Sequence, residues 1–210
     1  MKQNYQLMLD REITKITKEN RHPRLLMHAC CAPCSSYVLE YIASVFDMTM
    51  YFYNPNISPE SEFIFRGNEL ERLIAEMPLS EKVGLIRAEY ENEKFHEIAK
   101  GMERLPEGGE RCFKCYELRL RHTAEFAKAN GFEYFSTTLS ISPHKNAQKL
   151  NEIGAKLSEE YNVPYLFSDF KKKNGYKRSC ELSAQYNLYR QNYCGCIYSK
   201  EQAVKTNITI

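Results

Sequence analysis

No apolar run in the 210-residue sequence approaches the roughly 18–20 residues that a membrane span requires, so no transmembrane helix is expected. The opening stretch MKQNYQLMLDREITKITKEN is charged throughout and lacks the apolar segment of a signal peptide, which points to the cytoplasm. An excess of one charge is missing too. Lys and Arg number 29 against 27 Asp and Glu, so no broad basic surface coats nucleic acid, and any polyanion must be met locally. Glycine-rich phosphate cradles are also absent. Neither GxGxxG nor GxxxxGK(S/T) follows the first apolar run, and CCAPCSS stands where ATP pyrophosphatases carry SGGxDS. Nucleotide hydrolysis is therefore disfavoured.

What the chain has is cysteine, eight in all, in a composition 43% hydrophobic and 27% charged. In a small secreted domain that richness would mean disulfides. In a reducing compartment it points to metal ligation or redox chemistry. The length suits one domain, 1–210, with 1–22 as an N-terminal extension carrying a short helix and 201–210 as a loose tail.

Apolar runs and helical periodicities alternate along the chain. Strands are expected at Leu25–Ala29, Met48–Tyr53, Val83–Ala88, Phe132–Leu139 and Val163–Phe167. Helices are expected from a Ser35 or Ser36 cap onward, over Phe63–Met77, Phe95–Gly101, Cys115–Asn130 and Asn146–Tyr161, and from about Cys180 to Tyr189. This order predicts an α/β fold, a parallel sheet with helices on both faces. In such sheets ligands gather beyond the strand carboxyl ends, and Cys30–Cys34 fall where the first strand should end.

The cysteines form three groups: Cys30-Cys31-Ala-Pro-Cys34, Cys112-Phe-Lys-Cys115 and Cys194-Gly-Cys196. The spacing of Cys112 and Cys115 lets two thiolates converge on one metal, and two such groups can close a structural zinc site. Adjacent Cys30 and Cys31 diverge on an extended backbone and suit a larger multi-iron cluster better than a single ion. Cys194 and Cys196, around flexible Gly195, can form a reducible disulfide or bind metal. Cys34 is open between ligand, nearby thiol and buried small hydrophobe, and Cys180 fits the last. His28 reads as a hydrogen-bonded core residue, and the other histidines show no metal spacing.

Two segments carry substrate signals with bland alternatives. Lys171–Lys173, Lys177 and Arg178, interleaved with Phe170 and Tyr176, suit RNA phosphates and stacked bases, or form a solvated lysine loop. Tyr189, Arg190, Gln191 and Tyr193, just before the third cysteine group, line a substrate pocket or belong to an amphipathic helix packed on the sheet.

Together the motifs HACCAPC, ERCFKCYELRL, TTLSISPHKN and LYRQNYCGCIYS resemble the cobalamin-independent, iron–sulfur epoxyqueuosine reductase family, QueH, over about Leu25–Ser199. The resemblance implies a Rossmann-like, nucleotide-hydrolase-like fold with cysteines in place of the phosphate loop. It implies two-electron removal of the epoxide oxygen of epoxyqueuosine at the wobble position of a GUN-anticodon tRNA. The products are queuosine and water, iron serves as Lewis acid, and an external low-potential donor supplies electrons. By motif match Cys30, Cys31, Cys112 and Cys115 resemble ligands of a 4Fe–4S cluster, and Cys194 and Cys196 resemble the family's redox-active pair. A second, mononuclear iron is also implied, with Cys34 as its first local ligand beside Cys194 or Cys196. Some relatives carry Asp in place of Cys34. The competing readings are a cluster-dependent tRNA thiolation enzyme, which needs the missing SGGxDS loop, and a non-enzymatic zinc-binding RNA module.

Overall fold

The computed structural model describes residues 3–208, with side chains described through 204. Four parallel strands make the sheet: β1 (Arg24–His28), β2 (Asp47–Phe52), β3 (Gly84–Arg87) and β4 (Tyr134–Thr137), in the order β3-β2-β1-β4. Eight α-helices are assigned among the described residues: α1 (Tyr5–Lys18), α2 (Ala32–Ile42), α3 (Glu60–Glu76), α4 (Asn92–Ala99), α5 (Glu110–Ala129), α6 (Ala147–Tyr161), α7 (Gly175–Gln185) and α8 (Ile197–Ile208).

The central strands are apolar on both faces, as a covered parallel sheet demands. Leu25 and Met27 of β1 and Met48, Met50 and Phe52 of β2 meet Leu9 of α1, Leu39 of α2 and Leu70 of α3. Alternate residues Leu26 and Tyr51 point the other way, into Leu120 and Ala124 of α5 and Leu150 and Leu157 of α6. Strand order reverses at β1: β2 and β3 lie to one side and β4 to the other. The crevice beyond the carboxyl end of β1, where a doubly wound sheet binds its ligand, receives Cys30.

Several elements depart from their sequence-based limits. Helix α2 starts at Ala32, not at a serine cap. Cys31 is its N-cap, and Pro33 sits in the first turn, where its missing N–H is no loss. Ser35 and Ser36 instead donate back to the Cys31 and Pro33 carbonyls. Helix α5 starts at Glu110 behind Gly109, so Cys112 and Cys115 lie inside its first turns rather than ahead of it. No fifth strand forms over Val163–Phe167. One parallel bridge pairs Phe135 with Tyr165, and Pro164, lacking an N–H, cannot extend the ladder.

Helix α7 spans Gly175–Gln185 instead of reaching Tyr189, because Asn187 takes a left-handed conformation (φ 47°) and turns the chain. The tyrosine-rich stretch before the third cysteine group is consequently irregular, not an amphipathic helix. The expected loose tail is helix α8 to Ile208, with residues 209 and 210 outside the described residues. Gln202 docks it by donating to the Leu105 carbonyl and accepting from the Glu107 N–H. No helix among the described residues is long and apolar enough to cross a membrane.

Gly175 opens α7 where an added Cβ would stand 1.9 Å from the Phe170 carbonyl oxygen and 2.5 Å from the Tyr37 ring. Gly175→Ala must therefore move backbone, and a loss of about 1–3 kcal/mol in chemical denaturation is expected. A midpoint equal to the parent's would show that the 170–175 turn yields freely.

Candidate active site

The strand-to-helix turn after β1 brings three thiols together. Cys30, Cys31 and Cys34 place their sulfurs within 4.8 Å of one another, and the Cys30 and Cys31 sulfurs are 3.8 Å apart. The divergence expected of adjacent cysteines does not arise, because the chain turns from strand to helix between them. Cys31, as N-cap, puts its sulfur at the positive end of α2. Hydrogen bonds from the Cys30 and Cys34 thiols, followed by the charge of Arg66, hold its pKa well below the ordinary thiol value. The hydrogen bond to Cys31 pushes Cys30 up to about 12, and Cys34 is raised in the same way. Within the triad Cys31 is thus the most acidic thiol and Cys30 and Cys34 the least.

Two adjoining cavities hold the remaining groups. The larger, about 540 Å³, is lined by Cys30, Cys31, Cys34 and Cys194 together with Arg190, Gln191 and Tyr193. The smaller, about 10 Å³, is a void walled by Cys112, Cys115, Cys194 and Cys196. Cys194, Lys145 and Glu107 line both. All three cysteine groups therefore meet at one end of the sheet, and the eight cysteines are all free thiols. Burial raises Cys115 to about 12 against the opposing pull of Arg119, and burial also raises Cys196. Cys180 lines neither cavity.

Of the four substrate candidates, three line the larger cavity, and the Gln191 amide oxygen there is buried with no hydrogen-bond partner. Tyr189 lies outside it, exposed, with its ring edge-on to Phe65 at 5.0 Å. The basic loop is largely committed elsewhere. Lys171 pairs with Asp169, Lys173 with Asp10, and Arg178 with Glu40 and Glu181. Phe170 is fully buried and cannot stack on a base, whereas Tyr176 lines the larger cavity. His28 is buried, its Nε2–H donating to the Tyr53 carbonyl and its Nδ1 accepting from Thr137, and burial lowers its pKa to about 3.

Sequence reasoning passed over a set of buried cations around the sulfurs. Arg66, Arg111 and Arg119 are at most 2% exposed and Lys145 is 8% exposed. Arg66 pairs with Glu62 at 2.8 Å and Lys145 with Glu107 at 2.9 Å. Arg111 and Arg119 bond only to main-chain carbonyls: Met102, Glu103 and Leu105 for the first, Cys115 for the second. The signal was in the motifs themselves, since Arg111 immediately precedes Cys112 and Lys145 closes SPHK.

Arg66 also fixes the third cysteine group, donating to the Cys194 carbonyl at 3.1 Å and lying 5.1 Å from the centre of the Tyr193 ring. Gly195 completes that clamp. Its φ of 121° suits glycine, its carbonyl accepts from the Ser58 N–H, and an added Cβ would lie 3.0 Å from Arg66 Nη1 and Ile57 Cγ1. Gly195→Ala is expected to cost about 1–2 kcal/mol locally and to displace Cys194. The readout is turnover at a temperature where the variant stays folded. Parental turnover would mean that the position of Cys194 is not critical.

Comparison with known proteins adds an independent line. The family model for epoxyqueuosine reductase QueH matches residues 25–202. An epoxyqueuosine reductase QueH of Staphylococcus epidermidis is 43% identical over 200 residues, 93% of this chain and 84% of its own. One from Streptococcus pyogenes is 42% identical, covering 93% of this chain and 78% of its own. One from Thermotoga maritima is 38% identical, covering 83% and 89%.

Proposed function

The chain belongs to the epoxyqueuosine reductase QueH family, and from that membership we propose that its converging cysteines hold an iron–sulfur centre that deoxygenates epoxyqueuosine in tRNA. The enzyme is an oxidoreductase of queuosine biosynthesis with a tRNA substrate. The thiolation and zinc-module readings find no support among these relatives.

The observation that carries the cofactor assignment is charge. Arg111 and Arg119 are buried without a carboxylate, at a cost of several kcal/mol per ion unless an anion lies close. Four cysteines share their void, where the one carboxylate, Glu107, is paired with Lys145, and a thiolate-ligated cluster supplies such an anion. The donor set therefore fits. Cys30, Cys31, Cys112 and Cys115 are the proposed ligands of a 4Fe–4S cluster. Cys34 and Cys194, which share the larger cavity, are the proposed holders of a neighbouring iron, while Cys196 faces only the smaller void. When bound, such a centre supplies electrons and Lewis acidity.

The chain's own residues do the rest. Arg190, Gln191 and Tyr193 line the cavity in which the modified base is to be oriented. Lys145 Nζ carries the proton. Burial pulls its pKa down, but the neighbouring Cys194, Tyr116 and Glu107 outweigh burial and lift it above the ordinary lysine value. An alkoxide formed as the epoxide C–O bond breaks is basic enough to take that proton, and Glu107, less buried, replaces it from solvent. Two protons and two electrons convert the epoxide to the alkene and water.

One catalytic unit over 1–210, a GUN-anticodon tRNA, a low-potential external donor and a cytoplasmic setting complete the proposal. The test is anaerobic reconstitution with iron and sulfide, reduction, and mass spectrometry of an epoxyqueuosine-containing anticodon stem-loop. Loss of one oxygen supports the reading, and an unchanged mass from iron-loaded protein refutes it.

A further inference from the structure

We infer that Arg119 sets the charge of the cysteine centre, its buried guanidinium stabilising the reduced, more negative state. The inference rests on the iron–sulfur reading and assigns a positioning residue that acts through the sulfurs rather than on the substrate. Arg119 lies on α5, one turn beyond Cys115, and is 1% exposed. Its Nε donates to the Cys115 carbonyl at 3.2 Å, which fixes the fork, while its Nη2 is buried with no hydrogen-bond partner. It lines the same void as Cys112, Cys115, Cys194 and Cys196.

No carboxylate pairs with this guanidinium; Glu107, which lines the same void, is paired with Lys145. Burial disfavours the charge, and the groups that favour it are Cys115, Cys194 and Cys30, one cysteine from each of the three groups, followed by the Tyr116 phenol. Arg119 thus lies on the wall of the void where the second and third cysteine groups meet, with Arg111 and Lys145 lining the same void. The unpartnered Nη2 gives the guanidinium a remaining donor for a sulfur or a sulfide. Iron–sulfur potentials follow net charge and hydrogen bonds to sulfur, so a fixed cation with a spare N–H raises the potential. Arg111 lines the same void and also has Nε and Nη2 unpartnered, but three carbonyls hold its Nη1 to the loop before α5 and its guanidinium lies over the Tyr198 ring of α8 at 4.7 Å, so its anchoring is the stronger.

The experiment is a dye-mediated potentiometric titration, followed by electron paramagnetic resonance, of anaerobically reconstituted parent, Arg119→Met and Arg119→Lys. The expected result is a negative shift of the midpoint in Arg119→Met at parental iron content, largely reversed in Arg119→Lys. Parental midpoints in a folded, iron-loaded Arg119→Met would overturn the inference. Should that variant not fold, pulsed resonance of the parent labelled with nitrogen-15 arginine decides. A coupling between reduced centre and nitrogen that disappears in Arg119→Lys supports the contact, and no coupling in the parent overturns it. A parent that takes up no iron overturns the iron–sulfur reading itself, a separate result.

Discussion

Cys31→Ser is expected to abolish turnover and to leave the reconstituted protein with little iron, while the fold survives. The side chain is small and the substitution nearly isosteric, so packing at the N-terminus of α2 changes little. The chemistry changes much more. Cys31 is the acidic member of its triad, stabilised by two thiol donors, by Arg66 and by the helix terminus, and a serine hydroxyl at that place stays protonated and does not replace a thiolate. Iron content and turnover after anaerobic reconstitution, with circular dichroism for the fold, make the check. A Cys31→Ser enzyme with parental iron and turnover would show that the triad is not part of the centre.

Lys145→Gln is expected to lower turnover by about 10²–10⁴-fold, the usual share of a positioned acid, with iron content unchanged. The amide, one atom shorter, retains a hydrogen-bond donor toward Glu107 but carries no acidic proton to give. Since the neighbouring Cys194, Tyr116 and Glu107 raise the Lys145 pKa, its proton is fully present below the ordinary lysine range and is retained as pH rises through it. The parent's turnover should not fall through neutral pH on account of this residue. A Lys145→Gln enzyme of parental rate would remove the residue from the mechanism and assign the proton to another donor.

How far these conclusions could be read in the sequence depends on the kind of signal each residue carried. The sheet was legible because β1 and β2 alternate between two buried faces, and the cysteine groups were legible because their spacing is local. Helix starts were less so. Ser35 and Ser36 offered cap chemistry, but Pro33 and the strand end fixed α2 earlier, and this brought Cys34 into the first turn beside Cys30 and Cys31. The would-be fifth strand stops at one bridge because Pro164 withholds a donor. Whether the three cysteine groups converge is a question of topology, settled by strand order at β1. The cations, though three of them stand inside the motifs, were easily passed over for a related reason. In sequence Arg66, Arg119 and Lys145 resemble any solvated basic residue, and only the burial that packing imposes marks them as partners of the sulfurs. The lysine loop shows the converse, a conspicuous run whose charges pair with Asp10, Glu40 and Asp169.

The most direct test of the central claim, that the three cysteine groups build one iron–sulfur centre, is Mössbauer spectroscopy with sulfide analysis of anaerobically reconstituted parent and Cys112→Ala. The account predicts the signature of a 4Fe–4S cluster with matching labile sulfide in the parent, and its loss from the folded variant. A parent that binds zinc and stays colourless, or a cluster that persists undiminished without Cys112, would contradict it.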